Sequence, residues 1–530
     1  MTRKFFYALI FAILIANTCF AASNRELVFN LGADPRTIDP VLNNALDGCH
    51  VIANIFEGLV RLGVNNSPEP ACAESWKFSD DGMTWTFKLR ENLKWSDGKD
   101  LTAQDFKYGF TRILDPNVAS PYAYYAYFIR NGENFYNGKV DADSLGLKAI
   151  DDRTLVIELD FKNPLMLEYL AFPIFMPARQ DIIQENPRTW AARPETLISN
   201  GAFKLKNWKH GDGGEITLEK NDFYWEAPKV KLDRVRMVFI NDENTALAAF
   251  KSGKIDYMSS IPSQMLPMLL KSGEAISLPS LGTAFCDFNI TQAPFDNINV
   301  RKAFTLAIDR KAIVEKILLG GQKPAVGFVP YNVPGSGFEH DFRGEAGEFL
   351  PETADVKAAR KFLADAGYPD GKNFPKVTYK YNSNTGNKML AEVLQAMWKR
   401  NLGIEVELHN EEWKVFLETR NRKDYQIARG ALILDFVDAA NLLEFLTSTN
   451  PQNSTGYSNP DFDSLITAAS SEMSHELRTQ YLIEAEKILM SDLPVLPIYF
   501  YNSAVMKNPR VKNIIRTVTG NIYFRLAEVD

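Results

Sequence analysis

The chain is poor in the residues and patterns that usually announce chemistry. Its four cysteines are Cys19, Cys49, Cys72 and Cys286, and no two form a Cys-x-x-Cys. That spacing excludes a redox dithiol and a zinc ribbon. The five histidines, His50, His210, His340, His409 and His475, lie far apart with no metal spacing. No P-loop, G-x-G-x-x-G or G-x-S-x-G occurs, so the common nucleotide and serine-hydrolase signatures are missing. Positive charge is not in excess either. Lysine and arginine number 59 against 66 carboxylates, which argues against nucleic acid and against an anionic membrane surface. Long apolar runs are lacking beyond the first, Phe5 to Ala16, whose 12 residues are too few to span a bilayer.

That first run is read as the core of a signal peptide. Arg3 and Lys4 precede it, and Cys19-Phe20-Ala21 follows with small residues, placing cleavage after Ala21. An acylated Cys19 is the alternative, but Ala16, Asn17 and Thr18 fit a lipobox poorly. Removing residues 1–21 takes away two basic residues and no acidic one, leaving 57 against 66 and a net charge of −9. The expectation is a soluble, periplasmic, monomeric protein without cofactor or metal. The odd count of mature cysteines leaves at least one unpaired, and pairing of Cys49 with Cys72 stays open. About 500 residues exceed one core, so two or three domains are expected.

The segment 425–446 organises the rest. Ala431 to Leu434 is apolar on successive residues, as in a strand covered on both faces. Asp435 ends the run, and Ala439 to Leu446 reads as the next helix. Ligands of open α/β sheets bind outside the carboxyl ends of the strands. Two roles are open to Asp435: a helix cap, or a partner for a cationic ligand group. Asp438 stands directly before Ala439 and fills the capping role better. Elsewhere Glu26 to Gly32 reads as a strand and Cys49 to Phe56 as a helix. Thr84 to Arg90 alternates as a half-buried strand, and Thr102 with Asp105 opens a helix as a capping box with Asp in place of Glu. Pro279 to Gly282 is a turn-rich break before a new strand, Thr283 to Ile290.

Many pieces, in one order, resemble the extracellular solute-binding proteins of peptide transporters. They include Pro70–Trp76, Thr84–Gly98, Leu101–Phe106, Asn200–Leu205 with Trp208, Asn221–Trp225, Gly253–Tyr257, Asn299–Arg310, Ala364–Gly371 and Leu493–Tyr499. The resemblance covers nearly the whole mature chain. Asn410–Lys414, Phe416–Arg420 and Ala428–Arg429 with Asp435 are similar to the oligopeptide-binding subgroup. It implies an α/β, two-lobed periplasmic-binding-protein fold with mixed sheets and an additional inserted domain. Domain I would comprise 22–56, 182–281 and 503–530, domain II 57–181, and domain III 282–502.

The resemblance also implies a peptide held between the lobes and handed to the permease subunits of an ABC transporter. Asp435 matches the carboxylate that meets the peptide's ammonium, through charge-assisted hydrogen bonds. Arg429, six residues earlier, would share its face. Arg429 and Arg420 either reach the peptide or stiffen the wall through an ion pair. Asn44, Ala45 and Leu46 match the segment beside the ligand backbone. Oligopeptide binders tend to carry an acidic residue where Asn44 stands. Tyr122 and Trp413 match ligand-contacting aromatics, with domain packing and core as the alternatives. Phe285 and Asp287 line or brace the cleft, Ser259 and Ser260 offer hydroxyls, and Ala431 and Tyr501 match further contact positions. Leu432 and Ile433 replace a tryptophan and a bridged cysteine. Leu318 and Asn387 stand where basic side chains meet the peptide's C-terminus. These departures leave a modified cell-wall peptide, or a peptide of unusual length, open as ligand. Nickel, haem or a glycoside on the same fold, and a secreted hydrolase, are the competing readings.

Overall fold

Strands with one or both faces buried set the frame. The computed structural model describes residues 25–530 except 64, 65, 212, 338, 435, 518 and 519. The expected leader, Cys19 and the cleavage after Ala21 lie outside the described residues. Glu26–Asn30 is buried along nearly its whole length and pairs in parallel with Arg234–Val238 and Tyr257–Met258. These belong to an eleven-stranded mixed sheet among the described residues. Two long antiparallel strands, Ala275–Phe288 and Val495–Lys507, run through its middle and serve both lobes. Ala275–Pro279 pairs with Asn502–Met506 beside Tyr257–Met258, in the first lobe. Thr283–Asp287 pairs with Val495–Phe500 on one side and with Ile427–Ile433 on the other, in the second lobe. Val377–Asn382 and Val406–Glu411 extend that half in parallel.

The apolar side chains divide in the same way. One core gathers Leu27 to Tyr257 with Val505, Phe524 and other C-terminal residues. Two others gather Cys286 to Ile498 and Leu281 to Val495. Within the first core stands a separate four-stranded antiparallel sheet built from Ala73–Phe78, Thr84–Leu89, Thr154–Glu158 and Leu147–Asp151. Its inner residues Trp85, Phe87 and Leu89 alternate with half-buried ones, as the pattern predicts. Helix Ala103–Leu114 begins with the expected capping box of Thr102 and Asp105 and buries Phe106 and Phe110. The architecture is the α/β, two-lobed fold with mixed sheets and an added domain.

Several expectations are corrected. The first helix is Leu46–Ile55, starting three residues earlier than expected, with Asp47 receiving the Gly48 N–H at 2.7 Å. Pro279 to Gly282 does not break the chain into a turn. The strand runs on through it, and a register shift between Pro279 and Thr283 absorbs the irregularity. The run Ala431–Leu434 is not covered on both faces. Ile433, paired with Gly282, is 62% exposed. Asp438 accepts from the Ala440 N–H at 2.7 Å, and its carboxylate also holds buried Arg478. Cys49, Cys72 and Cys286 are free thiols.

Candidate functional site

The wall of the second lobe is built where three strands end or cross. Val377–Asn382 brings Asn382, Ile427–Ile433 brings Arg429, and Val495–Lys507 brings Tyr501. Arg429 is half-buried. It donates from Nη1 to Asn382 Oδ1 and from Nη2 to the Tyr501 hydroxyl, each at 3.3 Å. Asn387 closes the set by donating to Asn382, at 3.2 Å to the carbonyl and 3.0 Å to Oδ1. Tyr499 packs edge-on to Tyr501 with ring centroids 5.3 Å apart. Among the described residues no carboxylate opposes Arg429, and the hydrogen bonds it makes there go to neutral groups.

Arg420 is different. From helix Trp413–Asn421 it donates to Asp287 at 2.6 and 2.9 Å and to Ser454 at 3.1 Å. Burial pushes the Asp287 carboxyl above its ordinary range, and Arg420 pulls it part of the way back. Sheet register explains the choice. Arg429 stands opposite Cys286 and Ala428 opposite Asp287, and residues directly opposite share a face. Asp287 therefore points away from Arg429 and toward the helix carrying Arg420. Phe285 and Asp287 were expected to line or brace the cleft. Both are buried. The Phe285 ring lies over Gly430 and packs against Phe328, 5.3 Å between centroids.

The remaining residues lie at several places. Trp413 begins its helix 48% exposed, with its ring 6.3 Å from that of Phe416, so it is not core. Ala431 and Leu432 are half-buried. In the first lobe, Asn44, Ala45 and Leu46 are exposed at the start of Leu46–Ile55, and Asn43 Nδ2 donates to the Ala45 carbonyl at 2.9 Å. Ser259 and Ser260 are exposed just after Tyr257–Met258. Tyr122 is half-buried in an aromatic set with Tyr124, Tyr125 and Phe172. Tyr169 meets Phe436 edge-on at 5.2 Å, linking the added domain to the second lobe. Asp435 lies outside the described residues. Sequence reasoning missed Asn382, which joins Arg429 to Asn387, and Ser454, which supports Arg420. No motif marks either, and only the folded sheet brings them to the arginines.

The chain was compared with known proteins. Residues 67–454 match the family model of bacterial extracellular solute-binding proteins, family 5 Middle. The chain is 38% identical to the oligopeptide-binding protein OppA of Bacillus subtilis, over 94% of this chain and 92% of that one. Against the murein tripeptide-binding protein MppA in its unliganded open form, the TM-score is 0.86 at 33% identity, covering 96% and 98% of the two chains. Against Haemophilus influenzae OppA in complex with the peptide RPPGFSPFR, it is 0.68 at 30% identity, covering 96% and 99%. Coverage of this chain is equal and identity nearly so. This chain thus fits the unliganded open form more closely than the peptide complex.

Proposed function

This chain belongs to the bacterial extracellular solute-binding proteins of family 5, and from that premise we propose that it captures peptides between its lobes and delivers them to the permease of an ABC transporter. The observation that carries the reading is Arg429. It is a half-buried cation without a carboxylate partner among the described residues, framed by Tyr501, Asn382 and Asn387 on the wall of an open cleft. Such a group gains most from an anionic ligand atom, because charge-assisted hydrogen bonds exceed neutral ones. A peptide supplies that atom as its C-terminal carboxylate or an acidic side chain. Arg420 is already satisfied by Asp287 and stiffens the wall.

The opposite end of the peptide is assigned to Asp435, as partner of the α-ammonium. Asn44, Ala45, Leu46, Ser259 and Ser260 face the ligand from lobe I, and Tyr122 from the inserted domain. Trp413, Asn387, Ala431, Leu432, Ile433 and Tyr501 face it from lobe II. Lobe I comprises 22–56, 182–281 and 503–530, the inserted domain 57–181, and lobe II 282–502. The register shift at Pro279–Thr283 supports the first join between the lobes. The protein acts in the periplasm as a monomer and performs no catalysis on what it binds.

Calorimetry of parent and Asp435→Ala, each with free and N-acetylated tri-alanine, tests the central assignment. Removing one partner of a desolvated pair costs about 3–5 kcal/mol. The free peptide should lose roughly a hundredfold or more in affinity, at about 1.4 kcal/mol per factor of ten. The acetylated peptide should bind the parent poorly and be little changed by Asp435→Ala. Equal losses with both peptides would reduce Asp435 to a structural residue.

A further inference from the structure

Lobe I holds a cavity of about 780 Å³ that the peptide reading does not use. Its size falls within the range of small-molecule sites. Ile276, Leu278 and Val505, from the two long strands, form one wall, and Ile514, Ile515 and Leu526 of the C-terminal segment also line it. None of the residues proposed for the peptide lines it. The lining joins this apolar wall to cationic side chains that outnumber its one carboxylate, which suits an apolar ligand with an anionic group better than a second peptide.

Of the five charged groups on these walls, Arg516 stands out. Arg516 lines the cavity with its Nε buried and without an acceptor. It makes no ion pair among the described residues, and only the Tyr257 phenol, another lining group, favours its charge. Lys229, Lys231 and Lys507 also line the cavity, against one carboxylate, Glu528. Lys229 is held by Glu226 at 2.6 Å and Lys507 by the Val511 carbonyl at 2.6 Å, while exposed Lys231 has no carboxylate partner among the described residues. A guanidinium drawn partly out of water without a counter-ion is unfavourable unless an anion joins it.

We propose that this cavity is a second ligand site, taking a single-tailed amphiphile with a carboxylate head. The tail lies among Ile276, Leu278, Val505 and Ile514, where each buried methylene contributes by leaving water. The carboxylate pairs with the Arg516 fork, whose planar geometry suits two parallel hydrogen bonds. Lys231 adds attraction from the rim.

The test is calorimetry with dodecanoate below its micellar concentration, with dodecanol as the uncharged control. The parent should bind one equivalent of dodecanoate. Arg516→Gln should weaken it roughly ten- to a hundredfold, the usual effect of losing hydrogen bonds to a charged group, and leave dodecanol unchanged. Arg516→Gln removes an unpaired charge, so it should melt no lower than the parent. Leu278→Trp fills the cavity and should abolish both ligands. If that variant melts early, Ile276→Trp, at a position already 41% exposed, makes the same test. Arg429→Ala, in the cleft between the lobes, should leave dodecanoate affinity within twofold. Three results would each overturn the proposal: no binding by the parent, unchanged affinity in Arg516→Gln, or loss of dodecanoate in Arg429→Ala.

Discussion

Arg420 and Arg429 are nine residues apart, yet Arg420 is paired with Asp287 while Arg429 meets the neutral Asn382 and Tyr501. The difference comes from Asp287, on a distant stretch of chain, whose face of the sheet is fixed by pairing with Ala428. No local pattern distinguishes the two arginines, so the sequence leaves both roles open for each. His50 shows a similar dependence on surroundings. It is 5% exposed, packs edge-on against Phe29, and its Nδ1 has no partner. Burial, with the nearby Arg516 charge, lowers its pKa to about 4 from 6.5. The folded state thus binds fewer protons than the unfolded state between those values, and stability rises with pH across that window. It is fully present above 6.5 and is lost as pH falls toward 4. The loss from this group is about 3.5 kcal/mol at most, at about 1.4 kcal/mol per pH unit. Thermal melts of parent and His50→Leu at pH 7 and pH 4.5 should show a smaller acid-induced drop in the variant. Equal drops would place the acid sensitivity elsewhere.

Elements with a strong internal pattern were legible before the fold was known. The alternation of Thr84–Leu89 and the Thr102–Asp105 capping box are local, and each appears as read. Pro279–Gly282 misled because its residue types favour turns, whereas pairing on both sides of it holds the strand extended. The strand Ile427–Ile433 misled in the opposite sense. Its apolar end reads as covered, but cover depends on what packs over the sheet, which residue type does not reveal, and Ile433 is left exposed. Gly430 in that strand has a requirement that only the neighbouring strand reveals. An added Cβ would meet the Phe285 ring at 2.2 Å. Gly430→Ala should therefore displace that ring and destabilise the protein by about 1–3 kcal/mol, as overpacking does. Urea midpoints should fall in Gly430→Ala and recover in part in Gly430→Ala with Phe285→Leu. A single variant as stable as the parent would show that the ring moves freely.

At the scale of the whole molecule, a two-lobed fold that fits an open form more closely than a peptide-bound one is expected to close by a hinge when a peptide binds. Small-angle scattering should show a smaller radius of gyration when a bound peptide has been verified by calorimetry. An unchanged radius would argue that the lobes are fixed. The two long strands carry a further consequence, for how the chain can be cut. Pro279 and Asn502 are paired neighbours, although all of the second lobe lies between them in the chain. To the first lobe, that whole stretch is one very long hairpin loop. Since loop length costs little in closure entropy once the ends are held, a short Asn-Gly turn should replace it. A gene joining residues 22–279 through Asn-Gly to residues 502–530 should yield a cooperatively folding half-protein, with a dispersed amide spectrum and a sharp melt. A collapsed, non-cooperative product would mean that the first lobe needs the second as a template and that the two strands form only when both halves are present.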